Sequence, residues 1–530
     1  MLKAELRIGD LADNIPTVAG QAVSISESYI QPFVHGNLES VLVRSAGQWF
    51  FVVRERLQTD GKGQACSSIT VISDVSVDRF QRLYQECLNW PLDFILLEVA
   101  YRGGRLRVRA GQLGSLPIYF SVKERCRSVT LSWDFADFLH ESRLLDAEVL
   151  AHHLTMKACY SARQPCLGVN LLTAGAKLYV DGSETRFEYG SNELPPSPQA
   201  LPKNVDATDE FSRILGKAVF SRASSIGGNA IELSGGMDSA CVAMALAQGF
   251  GSITCGGILL GDERSPAQSG RRSQLLAILN CRDYTIDMQA HVPIINLDLG
   301  PNCRLPLLSE HYLEAFESLW NTFRAAGCDT VWSGIGGDEL CVCYSGEETE
   351  TGFPLLKPFD AAVERAEGLL TRRGLEAARS SFLFMAPTGV VPSTTLLANL
   401  CQAHPLAIRG LWPVNPLSDP KLVRFSAELP YEYRSDKQIL RSYLHHRTHL
   451  ALFPRNYEKE SFEFILPTAI ANQAAELSSQ LESCALADFG LVSQEAVVAL
   501  LHEVADTREF SATSALVRVL WAERFARQLC

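Results

Sequence analysis

No stretch of the sequence stays apolar long enough to cross a bilayer. The longest runs, such as FILLEVAY at 94–101, fall well short of the roughly 20 residues that a spanning helix needs. There is no long basic run either, and the net charge of −12 argues against a surface for duplex nucleic acid while leaving room for a local basic pocket. The first residues, MLKAELRIGDLADN, lack the apolar core and the small-residue cleavage site of an export signal, so the cytoplasm is the expected compartment. The fifteen cysteines follow no repeating spacing, and without an export signal they are expected to be buried, reduced thiols. Cys341 and Cys343 form the one close pair, and no histidine or second cysteine pair stands at a spacing that would complete a metal site. Internal repeats and low-complexity tracts are absent as well. Neither a nucleic acid nor a membrane is expected as a partner.

What is present is a chain of 530 residues, too long for one ordinary core, with 47% hydrophobic and 20% charged residues. Its clearest break is GSNELPPSPQALPKN, which carries four prolines and few apolar residues and reads as a linker. Three parts follow: residues 1–190, the linker 191–204, and residues 205–530. The first part holds short alternating or apolar runs, among them SVLVR, WFFVVRERL, RLRVRA and LPIYFSV, separated by turn residues. It is expected to be rich in strands, with helices near 77–86 and 147–154. After the linker, runs such as AIEL, SITCGGILL and DTVWSG alternate with helical segments such as SACVAMALAQ and RRSQLLAIL. That rhythm predicts an α/β fold with a parallel sheet wrapped by helices. From about residue 360 the pattern is mostly helical, and 360–380 predicts one amphipathic helix.

The chemistry concentrates in IELSGGMDSACVAMALA, residues 231–247. In an open α/β sheet, ligands bind beyond the carboxyl ends of the strands, where turns lead into helices. Gly235 and Gly236 let backbone approach an anion closely, and the amides opening the next helix then face it. Ser234 and Ser239 can donate to phosphate oxygens. Asp238 would repel a phosphate by itself, so its sensible role is to hold a Mg²⁺ that bridges to the phosphates. No lysine follows the glycines, which excludes the GxxxxGK[ST] loop. On this stretch alone, a tight turn capped by serine and aspartate would look the same.

SGGMDS resembles the SGGxDS pyrophosphate loop of ATP pyrophosphatases, and VWSGIGGDEL, residues 331–340, resembles the SGxGGDE segment of the asparagine synthetase family. The resemblance implies ATP and Mg²⁺ as cofactors, with Asp238 and Asp338 as paired metal carboxylates and Gly334 in the second phosphate-facing turn. By position on the first two strands after the linker, backbone around Leu233 and Ile258–Leu259 is expected to face the base of AMP. Further on, SDKQILRSYL is similar to the family's KxxLR helix. FPRNYEKESF resembles the segment whose K-x-G-F element carries an essential lysine; Lys459 is then its equivalent, with Ser461 in place of the glycine. A lysine there would set positive charge against the tetrahedral intermediate and the leaving phosphate, whereas the plain alternative is a solvated loop lysine.

More faintly, 109–139 and 167–182 resemble the glutaminase half of the same family. This implies an N-terminal glutaminase-like (Ntn) α+β sandwich ahead of an ATP-pyrophosphatase parallel-sheet domain with a helical extension. The parent enzymes use an N-terminal cysteine as nucleophile. This chain reads Met1-Leu2-Lys3 and its first cysteine is Cys66, so the sandwich is expected to be degenerate and glutamine hydrolysis is not expected. The same combination is seen in β-lactam synthetases and lasso-peptide cyclases, which adenylate a carboxylate and let a nitrogen of the same molecule attack it. At the position of a β-lactam synthetase tyrosine stands Ile335, which cannot titrate; that favours attack by an ordinary amine over an amide.

The leading expectation is therefore a peptide macrolactam synthetase of the lasso-cyclase type. It would join an N-terminal amine to an Asp or Glu side chain, take a precursor peptide or a small amino-acid-derived substrate, and work beside a leader protease or leader-binding protein. A β-lactam-type or other small-molecule amide synthetase, an ammonia-dependent asparagine synthetase and a non-catalytic scaffold are the alternatives. Retention of both Asp238 and Asp338 counts against the last.

Overall fold

Strand Gln48–Glu55 shows how the first part of the chain is built. Its side chains alternate between two cores: Trp49, Phe51 and Val53 join one apolar cluster, while Phe50 and Val52 join another with Phe80 and Tyr84 of helix Val77–Leu88. A strand buried on both faces reads as a continuous apolar run, and WFFVV is one. The strand belongs to a seven-stranded sheet that faces a second seven-stranded sheet, and strand Leu2–Arg7 lies near the middle of the latter. Almost all their pairings are antiparallel. The protein is described here from a computed structural model, which covers residues 1–530 except 59–67, 101–103, 124–126, 140–143, 156–158, 194–195, 203, 223–226, 251, 262–264, 299–304, 343, 345–346, 348–355, 381–384, 456, 458–460, 463 and 530.

Beyond residue 204 the architecture changes to a five-stranded, wholly parallel sheet. Its spatial order is Arg282–Asp287, Ile253–Leu259, Gly228–Glu232, Cys328–Trp332, Trp412–Val414. Helix Met237–Gly249 covers one face, packing Ala240, Cys241 and Met244 with Ile231 and Cys255. Helix Leu313–Ala325 covers the other, packing Leu319, Trp320 and Phe323 with Ala230, Ile258 and Val331. The molecule is thus mixed α/β with a parallel sheet. From Gly228–Glu232 the chain first adds strands on one side and later on the other, so this strand is the point where the order reverses. The crevice beyond its carboxyl end is where such sheets hold ligands.

Two expectations about local structure are corrected. The single helix foreseen at 360–380 is two, Leu356–Leu369 and Arg372–Ser380. The break lies where Leu370 bridges Val492 and the Thr371 amide donates to the Leu491 carbonyl; a Cβ on Gly374 would fall 2.3 Å from that carbonyl oxygen. Helix 438–448 begins one residue later than the KxxLR pattern suggests, so Lys437 precedes the helix rather than riding on it. The proline-rich linker is bonded to the later part of the chain. The Gln199 amide donates to the Glu428 carbonyl at 2.7 Å, and the Glu193 amide to the Thr388 carbonyl at 3.0 Å.

Every described cysteine is free, and the side chains of Cys255 and Cys281 approach to 2.7 Å. Cys343 and Cys66 lie outside the described residues. Among the described residues no helix is long and apolar enough to cross a membrane, and no group of three or more His, Cys, Asp or Glu could hold a metal by itself.

Candidate active site

The first loop follows directly from strand Gly228–Glu232. Leu233, fully buried, donates its amide to the Gly256 carbonyl at 2.7 Å, which keeps the chain on the sheet for one more residue. Gly235 then takes φ +92°, and a Cβ there would also meet Arg272 Cγ at 3.0 Å and the Gln268 carbonyl at 3.1 Å. Only glycine meets both demands without strain. The Ser234 and Ser239 hydroxyls lie 3.1 Å apart, and Gly236 donates its amide to Ser234 Oγ at 3.1 Å. Helix Met237–Gly249 starts at Gly236 with no side-chain cap, so its first amides are open toward the crevice with the positive end of the helix dipole behind them.

Helix Ser265–Leu279 braces this loop from the far side. Gln268 Nε2 donates to the Ser234 and Ile258 carbonyls at 2.7 and 3.1 Å. Arg272 Nε donates to the Leu233 carbonyl at 2.6 Å, and Arg271 Nε to the Gly235 carbonyl at 3.2 Å. Its carbonyls are thus held from behind, while its own Ser234 amide donates to Ser239 Oγ at 3.3 Å.

The second loop, residues 333–338, follows the neighbouring strand Cys328–Trp332 and packs straight onto the first. A Cβ on Gly334 would stand 2.7 Å from the Ser239 amide nitrogen, and one on Gly337 would stand 2.3 Å from Asp238 Cγ. The glycines of SGIGG are therefore spacing elements: they let two loops from separate strands touch. Gly336, at φ +95°, makes the turn itself. Ser333 Oγ donates to Asn415 Oδ1 at 2.6 Å, so the short edge strand Trp412–Val414 buttresses the second loop just past its end.

Between the loops lies a residue to which the sequence reading gave no role. Lys437 Nζ donates to Asp238 Oδ1 and Oδ2 at 2.8 and 2.6 Å, and it lies 2.7 Å from Asp338 Oδ1. Burial opposes its charge, but the two carboxylates outweigh that and raise its pKa above the usual lysine value. Lys437 reaches this point from a strained turn: Asp436 and Lys437 are consecutive non-glycine residues at φ +51° and +53°. Such residues cost on the order of 1–2 kcal/mol each and persist where surrounding contacts over-determine them. Here Arg441 supplies the contacts, donating to the Asp436 carbonyl at 3.0 Å, to Asp436 Oδ2 at 2.7 Å and to the Phe453 carbonyl. The KxxLR pattern thus couples an aimed lysine to the arginine that holds its turn.

Two carboxylates from separate strand ends meeting one cation is also the fit test for a metal. Asp238 and Asp338 converge on a single point, as a bridging divalent ion requires. Two protein oxygens leave most of a Mg²⁺ coordination sphere for phosphate and water.

A cavity of about 390 Å³ opens beside this cluster. Asp238, Asp338, Ile258, Ile335, Tyr457 and Phe462 are among the residues on its wall. Of the sequence-expected residues, Ser234, Gly236, Asp238, Ser239, Ile258, Gly334 and Asp338 all border it, while Leu233 and Gly235 lie just behind. Lys459 lies outside the described residues.

The wall also carries Glu232, another residue not singled out from sequence. Trp320 Nε1 donates to its Oε1 at 2.6 Å, and burial lifts its pKa from 4.5 to about 7, against the opposing hydrogen bonds of Trp320 and Gln402. The available signal was a glutamate at the carboxyl end of the strand, just before the Gly-Gly turn. A carboxyl whose pKa is raised on folding contributes stability that is full below about pH 4.5 and is lost as pH rises through 7. The loss amounts to at most about 3 kcal/mol. Glu232→Gln should therefore gain in melting temperature relative to the wild type between about pH 5 and about pH 8. A pH-independent difference would make this carboxyl an ordinary one.

No family model matches the chain, and no curated protein matches it. Among solved structures it is similar to one described as the structure of the allosteric regulatory enzyme of purine biosynthesis. The TM-score is 0.19 and the identity 8%, over 49% of this chain and 66% of that one, just under two thirds of its length. A likeness that slight carries no weight for fold or function.

Proposed function

We propose that the chain activates a carboxylate with ATP and joins it to an amine, in the manner of the asparagine synthetase family. The observation that carries this reading is the meeting of Asp238 and Asp338, from two adjacent strand ends, at one Lys437 ammonium beside an open helix N-terminus. Residues 205–530 form the synthetase part on this reading. Residues 1–190 are a degenerate glutaminase-like sandwich, joined through 191–204. Leu2, where the parent enzymes would carry their reacting residue, is a fully buried leucine.

In the proposed reaction a carboxylate oxygen attacks the α-phosphorus of ATP and pyrophosphate leaves; an amine then attacks the acyl adenylate, an amide forms and AMP leaves. The amides of the 234–239 turn face the departing pyrophosphate, Ser234 and Ser239 donate to its oxygens, and Lys437 adds a fixed positive charge. A Mg²⁺ held by Asp238 and Asp338 would neutralise phosphate charge when bound. Glu232, with a pKa near neutrality, suits the task of taking the proton that an attacking amine must lose. Holding both partners in one pocket can contribute about 7–11 kcal/mol through effective molarity.

Ile335 on the cavity wall has no titratable group, which favours an ordinary amine and hence closure of a peptide ring. The test is to incubate the protein with ATP, Mg²⁺ and a candidate precursor peptide. The expected result is pyrophosphate release together with loss of one water mass from the peptide. Release with aspartate and ammonia but with no peptide would overturn the peptide assignment, and failure to bind ATP at millimolar Mg²⁺ would overturn the reaction.

A further inference from the structure

A second cavity, of about 310 Å³, lies between the first part of the chain and the helical end of the second. None of the residues of the two phosphate-facing loops, 234–239 and 333–338, lines it. Helix Phe510–Arg527 places Arg518 and Trp521 three residues apart, on one face, against this space. Helix Ala147–Leu154 brings His153 to it from the first part.

Among the described residues, all three have side-chain nitrogens without a hydrogen-bond partner. Among the described residues Arg518 has no hydrogen bond and no ion pair, and burial pulls its pKa below the usual arginine value. His153 Nε2 and Trp521 Nε1 are buried with no hydrogen-bond partner. One acid, Glu310, shares the cavity, but its Oε1 accepts from the Tyr312 amide at 3.2 Å, and burial raises its pKa. Arg518 is half-buried and His153 and Trp521 are buried, so a guanidinium with no counter-charge and two unpartnered ring nitrogens carry a cost of up to a few kcal/mol unless something answers them. Water could answer the neutral groups; the uncompensated positive charge calls for an anion.

We infer that this cavity binds an organic carboxylate, with Arg518 as its counter-charge and Trp521 and His153 as further hydrogen-bonding groups. One guanidinium matches one carboxylate, since its paired N–H groups fit the two oxygens in a fork. Arg163 also lines the cavity but is held by Asp146 and Glu148, so a doubly charged phosphate would ask for more cation than Arg518 supplies. Tyr119, Phe135 and Leu400 give the wall an apolar side that suits an aromatic or branched aliphatic body, while Ser161, Gln164, Ser309 and Thr394 make another part of it polar. Ala398 forms part of the wall of both this cavity and the one beside Lys437. A ligand anchored here by its acid end could therefore lie next to the adenylation pocket. The inference does not rest on the adenylation reading, because binding is expected without nucleotide.

The test is calorimetric titration of the full chain, without ATP, using N-acetylphenylalanine and N-acetylleucine, each compared with its amide, and with inorganic phosphate. The expected result is that at least one acid binds, and that its amide binds about tenfold more weakly or worse. Arg518→Gln should lower the acid's affinity by a similar factor while leaving the amide's unchanged. Trp521→Phe, which keeps the ring and removes the N–H, should cost several-fold. Equal binding of acid and amide, tighter binding of phosphate than of either acid, or binding of neither acid would overturn the assignment. Undiminished affinity in a folded Arg518→Gln protein would also overturn it. The acid–amide comparison in the wild type keeps the test decisive even if that variant does not fold. Because no nucleotide is present, failure here is separate from failure of the proposed reaction.

Discussion

Replacing Asp238 with asparagine is expected to abolish pyrophosphate release, lowering it by about two to three orders of magnitude. The change keeps the size of the side chain but removes the charge that Lys437 contacts through both carboxylate oxygens. It also turns an amide NH₂ toward an ammonium that can only donate. A neutral amide is a weaker partner for a hard divalent cation than a carboxylate, so affinity for Mg²⁺ should fall along with turnover. The fold should survive, because the contacts of Gly337 and Gly334 with residue 238 depend on its shape and not on its charge. Pyrophosphate release measured beside thermal unfolding separates the two effects. Full activity in a well-folded Asp238→Asn protein would remove the assignment of this loop.

Replacing Lys437 with methionine is expected to lower turnover about a hundredfold or more, for a different reason. Methionine keeps most of the length of the stem but leaves Asp238 and Asp338 facing each other as like charges. In the resting protein the ammonium competes with any divalent ion for these oxygens. Its removal should therefore make Mg²⁺ alone raise the melting temperature more in the variant than in the wild type. Tighter metal binding combined with slower chemistry is a result that a merely structural lysine would not produce. Unchanged turnover would return Lys437 to the role of a spacer between two acids.

How much of this was legible before the structure depends on what each residue is for. The glycines at 235, 334 and 337 could be read because close backbone approach leaves almost no other residue type, and that requirement is written into the motif itself. The alternation of strands and helices after residue 204 likewise follows from apolar periodicity. Lys437 was quoted only as part of a helix, since its position depends on two left-handed residues that no periodicity announces. Glu232 and Arg518 escaped for another reason. Glu232 ends a short strand and Arg518 is one of four charges on a long helix, so neither stands out in the sequence as a site residue. The division of 360–380 into two helices was hidden because its cause, the approach of Leu491, comes from more than a hundred residues away.

The apolar cluster that begins at Met1 and Leu2 runs without interruption through Phe211 and Cys241 to Phe453. A second cluster joins Tyr119 and Phe135 to Phe525 near the other end of the chain. The beginning of the polypeptide is thus mortar for its end. Cutting away the first 190 residues, even if they perform no chemistry of their own, would strip greasy flanks bare on the portion that holds Asp238 and Lys437. The second portion, cut free, should therefore clump rather than stay dispersed.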